Sequence, residues 1–165
     1  MAEDLKAIAR RTFEEILPKG DVDGFRALIH PDCVNHDPPP GAPPGPDGMI
    51  QAMGWLKGGF SEPRFEIHQL ISEGDTVVIH CTLHARHTGQ FIGLAPTNKA
   101  IATRQVHIVR FQDGKIIEHT AVRDDLGVLG QEVGDGPLTK TKTPGAVEIA
   151  VFTNRRSSWV TVMPA

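Results

Sequence analysis

Thr76-Val77-Val78-Ile79-His80-Cys81-Thr82-Leu83-His84-Ala85-Arg86-His87-Thr88 and Ala100-Ile101-Ala102-Thr103-Arg104-Gln105-Val106-His107-Ile108-Val109-Arg110-Phe111-Gln112 are the two runs that decide the fold. Their hydrophobic period is two, which places alternate side chains on opposite faces of a strand. The same period covers Arg64 to Ser72 before them and Lys115 to Arg123 after them, with short turns between. Upstream the period becomes helical. Asp4 can cap a first helix carrying Leu5, Ile8, Ala9, Phe13, Ile16 and Leu17, which ends at Pro18-Lys19-Gly20. A second, short helix starts at Asp21 or Asp23, runs through Phe25 and Leu28, and stops before Pro31, with a loop after it. Residues 37–48 are too dense in proline and glycine for regular structure and predict a rigid surface rim. A third helix is expected from about Asp47 to Lys57, burying Met49, Ile50, Met53 and Leu56 before the Gly58-Gly59 stop.

Three helices ahead of four long strands give an α+β domain with an antiparallel sheet and helices on one face. Long twisted strands curl, so a cone-shaped sheet enclosing a pocket is expected. Asp124 to Val133 predicts one or two last helical turns. The domain is drawn at residues 1–134, a linker at 135–145, and a C-terminal extension at 146–165, where Val147, Ile149, Val151, Trp159, Val160 and Val162 allow an extra hairpin.

Composition narrows the function. A chain of 165 residues supports one core, and 39% hydrophobic with 22% charged residues is ordinary for a globular protein. No apolar run approaches the roughly 20 residues that span a bilayer, so no membrane is expected. Met1-Ala2-Glu3-Asp4 lacks the basic and apolar parts of a secretory signal, which makes the cytoplasm the expected compartment. A net charge of −3 with scattered Lys and Arg argues against nucleic acid as a partner. Cys33 and Cys81 have no CxxC spacing and read as reduced, structural thiols.

Eight histidines are the first place to look for chemistry. His80 and His84 share a strand face but stand roughly 13 Å apart, and His87 lies on the other face, so these three form no metal site. The chain has no phosphate cradle and no GxSxG elbow, and neither cysteine has an activating context. General acid/base chemistry remains, with no cofactor.

Residues 22–134 carry more specific marks. They are Ile29-His30-Pro31-Asp32 with Asn35, Gly45-Pro46, Gly54-Trp55-Leu56 with Phe60-Ser61-Glu62, and His87-Thr88-Gly89-Gln90-Phe91-Ile92-Gly93. Pro96-Thr97, Gln105-Val106-His107, Asp113-Gly114-Lys115-Ile116, Glu118-His119, and Gln131 before Gly134 follow in order. Together they resemble the SnoaL-like polyketide cyclases, small enzymes of the nuclear-transport-factor-2-like cone fold. The resemblance implies an aromatic polyketide-type substrate, no metal, and an intramolecular aldol cyclisation run by an Asp and a His in the pocket. The family's pocket His and Gln fall on His107 and Gln105. Its catalytic Asp falls on Ala121, whose methyl group cannot take a proton from carbon.

A substitute carboxylate depends on the turn around Asp113-Gly114. A three-residue turn sets His107 opposite His119 and Ala121 opposite Gln105, all facing the pocket, with Asp124 pointing away. A two-residue turn sets His107 opposite Thr120 and puts Glu118 and Asp124 on the pocket face. The three-residue turn is preferred because it gathers both catalytic positions of the family. His107 is the candidate catalytic residue, with Asp124 as candidate carboxylate. Gln105, His119, His36, His87, Trp55 and Phe60 are candidate substrate contacts. Each has a plain structural reading beside this one: a sheet histidine for His107 and His119, a loop cap for His36, a strand end for His87, core packing for Trp55 and Phe60, and a helix cap for Asp124. Three functions stand open: an aldol cyclase, a hydroxylase-type sibling that lacks the cyclase Asp and draws on an external reductant, and a binding module without chemistry. A homodimer pairing through the outer sheet face is also expected, as in related folds.

Overall fold

The computed structural model describes residues 2–91, 94–125, 127–128, 147–153 and 156–162, so the expected linker at 135–145 and the part of the expected last helix beyond Val128 lie outside it. Helix α1 (Ala2–Arg11) begins ahead of Asp4, which therefore sits inside the helix instead of capping it. It continues into a π turn (Thr12–Ile16) and a last helical turn, α2 (Leu17–Lys19). Pro18 has no N–H to donate four residues back, and its ring crowds that carbonyl. The widened turn before it relieves the conflict, with Leu17 N donating five residues back to Thr12 O. Gly20, at φ 65°, ends the helix in the left-handed conformation that glycine adopts without penalty. Asp21 is the cap of α3 (Val22–Ala27), its carboxylate accepting from Gly24 N at 2.9 Å.

Strand β1 (Ile29–Asn35) replaces the loop expected after α3. Helix α4 (Gly45–Gly59) starts inside the segment expected to be irregular, its first turn accepting Pro46, and then come β2 (Phe60–Glu73), β3 (Thr76–His87), β4 (Ala100–Gln112) and β5 (Lys115–Arg123). The sheet order is β1-β5-β4-β3-β2. Four strands are antiparallel, as expected. β1 departs from that expectation by pairing parallel to β5 at the edge, with Asn35 beside His119 and an irregularity between Ile29 and Val34. Pro31 hid this strand, because a proline is tolerated only where a strand is an edge or is bulged, and here both hold. β2 likewise starts at Phe60 rather than Arg64, since Glu62 (φ 53°) and Pro63 break the alternation at a bulge.

The concave face carries Val77, Ile79, Cys81, Leu83, Ile101, Val109 and Phe111, all buried against Phe13, Ile16, Phe25, Met49 and Met53 from the helices. Separately, β6 (Val147–Thr153) and β7 (Arg156–Val162) pair antiparallel in a two-stranded sheet of their own.

Candidate active site

The β4–β5 hairpin turns on Asp113 and Gly114, both at positive φ (51° and 74°), the geometry of a two-residue type I′ turn. Past the turn, Phe111 faces Ile116, but Arg110 faces Glu118, so a bulge adds one residue to β5. His107 therefore lies opposite Ala121 and Gln105 opposite Arg123. Neither register expected from the sequence occurs. The bulge nevertheless restores the facing of the three-residue turn, so that Gln105, His107, His119 and Ala121 share the concave side.

Between this face and the helices lies a cavity of about 180 Å³. Its walls are apolar, with Phe13, Met49, Met53, Leu56, Phe60 and Phe65 among them, and Trp55 at 47% exposure. Such walls suit a flat, mostly apolar molecule. Along its polar side, which also holds Thr12, Thr103, Asp37, Arg123 and Asp125, runs one hydrogen-bonded row. Gln105 Oε1 stands 2.9 Å from His107 Nε2, His107 Nδ1 stands 3.0 Å from His119 Nε2, and His119 Nδ1 stands 2.9 Å from Asn35 Oδ1. The edge of the His107 ring meets Phe13, ring centroids 4.8 Å apart, and the π turn carries that phenyl group.

Burial, with His119 and Arg123 nearby, holds His107 well below the usual histidine range. Burial, then Arg123 and His36, lower His119 to about 4 against the opposing pull of Asp37. Both rings are neutral at neutral pH, and the row then has a definite proton order. Asp37 N donates to Asn35 Oδ1 at 3.2 Å, which fixes that oxygen as an acceptor, so His119 Nδ1 carries hydrogen. His119 Nε2 then accepts from His107 Nδ1, and a neutral His107 Nε2 can accept from Gln105 only once the amide turns from its Oε1-facing orientation to present its NH2. With one more proton on the row, His107 Nε2 donates instead and Gln105 presents its oxygen. A half-turn of one amide thus accompanies the gain or loss of one proton.

The remaining expected contacts are divided by the structure. Trp55 and Phe60 line the cavity with Gln105, His107 and His119. His36 does not, because it is exposed and its Nε2 lies 2.7 Å from Glu118 Oε1 on the outer side. His87 is fully buried under Phe60 and Phe91, with Nδ1 3.2 Å from Thr97 Oγ1, and is not among the lining residues. Asp124 is no pocket carboxylate either: its Oδ1 accepts from Gly127 N at 2.8 Å and its carbonyl from Thr103 Oγ1, which is the work of a cap. Among the pocket residues not singled out from the sequence are Asn35, a polar contact, and Asp37, a carboxylate. The signal was present as Asn35-His36-Asp37, but it could be read only if β1 had been seen as a strand. Arg123 and Asp125 also line the cavity, with Arg123 Nε 3.7 Å from Asp125 Oδ2.

Burial pushes the thiols of Cys33 and Cys81 up to about 11 and about 12, too high for nucleophiles at neutral pH. Among the described residues, no group of three or more His, Cys, Asp or Glu is arranged to hold a metal ion, and no helix is long and apolar enough to cross a membrane.

The family model of the SnoaL-like polyketide cyclases matches residues 7–132. The chain belongs to this family. The nogalonic acid methyl ester cyclase of Streptomyces nogalater is 36% identical over 122 residues, covering 70% of this chain and 87% of the relative. The aklanonic acid methyl ester cyclase AcmA of Streptomyces galilaeus is 31% identical over 150 residues, 87% of this chain and 100% of the relative. Among solved structures, AclR of Streptomyces galilaeus, a candidate hydroxylase, superposes with a TM-score of 0.72 at 24% identity, covering 84% of this chain and 87% of its own. This SnoaL-like protein therefore has the nuclear-transport-factor-2-like cone, with the polar row on the concave face of its sheet.

Proposed function

We propose that the protein closes a ring in an aromatic polyketide ester by intramolecular aldol addition, without a cofactor. The observation that carries this reading is the row Gln105–His107–His119–Asn35 set into a cavity whose walls are mostly apolar. An aldol addition needs an apolar slot that folds the chain onto its own carbonyl, a donor at the oxygen that becomes an alkoxide, and a base at the carbon. In the neutral row Gln105 gives one amide hydrogen to His107 and keeps the other for a substrate oxygen. His107 fixes that orientation and can accept or supply one proton as charge develops. The named relatives act on methyl esters of nogalonic and aklanonic acid, and an ester of that class is the substrate proposed here.

The test is mass. An aldol closure is an isomerisation, so incubation of such an ester with the protein in the absence of oxygen should give a product of unchanged mass. His107→Ala should lower kcat about 100-fold with the fold intact by circular dichroism. Ala121 favours a second reading, hydroxylation. A product heavier by one oxygen atom, formed only with oxygen and a reductant, would establish that reading instead. Tight binding with no product under either condition would leave a binding module.

A homodimer formed through the outer face of the sheet is part of this proposal, supported by Ile108 and Val122 at 43% and 70% exposure on that face. So is action in the cytoplasm, which suits two buried free thiols.

A further inference from the structure

We infer that Asp37 is the general base of this site and replaces, from the end of β1, the carboxylate that the family resemblance places where this chain has Ala121. The inference rests on the cyclase reading above. Because β1 and β5 run parallel, the chain leaving Asn35 follows β5 from His119 toward Ala121. His36 N donates to His119 O at 2.9 Å, the last backbone bond of that edge. The next donor along β5 is the N–H of Ala121, and the Asp37 side chain takes it, Oδ2 accepting at 2.6 Å. Asn35 holds the bend by accepting from Asp37 N. The carboxylate is thereby fixed over residue 121.

Two covalent bonds separate the Ala121 nitrogen from its Cβ, about 2.5 Å in all. Asp37 Oδ2 is thus within about 5 Å of that methyl group. Asp37 lines the cavity, whereas Ala121, 7% exposed, is not among the lining residues. The second oxygen, Oδ1, has no partner among the described residues. Of the other carboxylates nearby, Glu118 is bonded to Arg110 and His36 and Asp124 to Gly127, while Asp125 lines the cavity with Arg123 Nε 3.7 Å away. The charged and titratable groups around Asp37 are His119 and Arg123 on β5 and His36 beside it in the chain.

The step balances without any co-reactant. Asp37 takes the proton from the carbon next to the ester carbonyl, and the C–H pair becomes the enolate. The enolate carbon bonds to the ketone carbon of the same molecule, and the C=O π pair moves to oxygen, which Gln105 receives by hydrogen bond. The alkoxide then takes the proton back from Asp37, restoring the carboxylate.

A structural edge cap would make the same bond to Ala121, so the deciding variant is Asp37→Asn, which keeps an acceptor oxygen and nearly the same volume. With the nogalonic acid methyl ester as probe, Asp37→Asn is expected to lower kcat about 10²- to 10⁴-fold. KM and melting temperature should be little changed. Enzyme-dependent exchange of the substrate α-hydrogen with solvent deuterium should be lost. A kcat within threefold of wild type would overturn the assignment while leaving the cyclase reading intact. Failure of the wild type to isomerise the ester would remove the cyclase reading and this inference with it. Should Asp37→Asn not fold, Asp37→Ala gives the same decision: a rate that rises with added formate supports the base, and a rate indifferent to formate overturns it.

Discussion

At the scale of single residues, the site depends on two histidines that the fold keeps uncharged. The unfolded chain titrates them near the ordinary value of about 6.5, whereas in the folded protein His119 titrates at about 4 and His107 well below 6.5. Between these values the unfolded state binds protons that the folded state refuses, so stability falls as pH drops from about 6.5 to 4 and is unaffected by these groups above that window. The expected loss from His119 alone is on the order of 2–3 kcal/mol. Urea unfolding at pH 7, 6, 5 and 4 should show it, and His119→Gln should flatten the wild-type curve over the same range. His107 was singled out because the family resemblance puts a pocket His and Gln on His107 and Gln105, which stand two apart on one strand face. Asp37 was not, because its role depends on a bond to Ala121, 84 positions away.

The decisive element is the β4–β5 hairpin. Its turn must hold Asp113 and Gly114 at positive φ, and only the bulge beyond it brings His107 opposite Ala121. Gly114→Ala places a Cβ in the left-handed region and should cost about 1 kcal/mol, seen as a lower urea midpoint at constant slope. The sequence named the turn residues and the strands but offered two registers, neither of them correct. A bulge has no composition of its own, since it is selected by the side chains that must be buried on each face. The same blindness covers β1, whose polar run His30-Pro31-Asp32 reads as a loop until β5 offers it an edge.

For the whole molecule, the sheet presents two unlike faces. The concave one is closed by helices, and the convex one carries Val122 and Ile108 in the open. If two copies pair there, Val122→Asp should convert the dimer to a monomer in analytical ultracentrifugation. Its melting temperature in the monomeric state should stay close to wild type, because residue 122 is 70% exposed within the protomer. Periodicity along the chain was enough to determine an α+β domain, its four long strands, the helices that cover them, and the pairing of Gln105 with His107, because each of these is set by residues close in sequence. The parallel edge strand, the hairpin register and the carboxylate at the pocket were decided only by tertiary structure. Each of them rests on a hydrogen bond or burial requirement between segments that the linear chain does not place side by side.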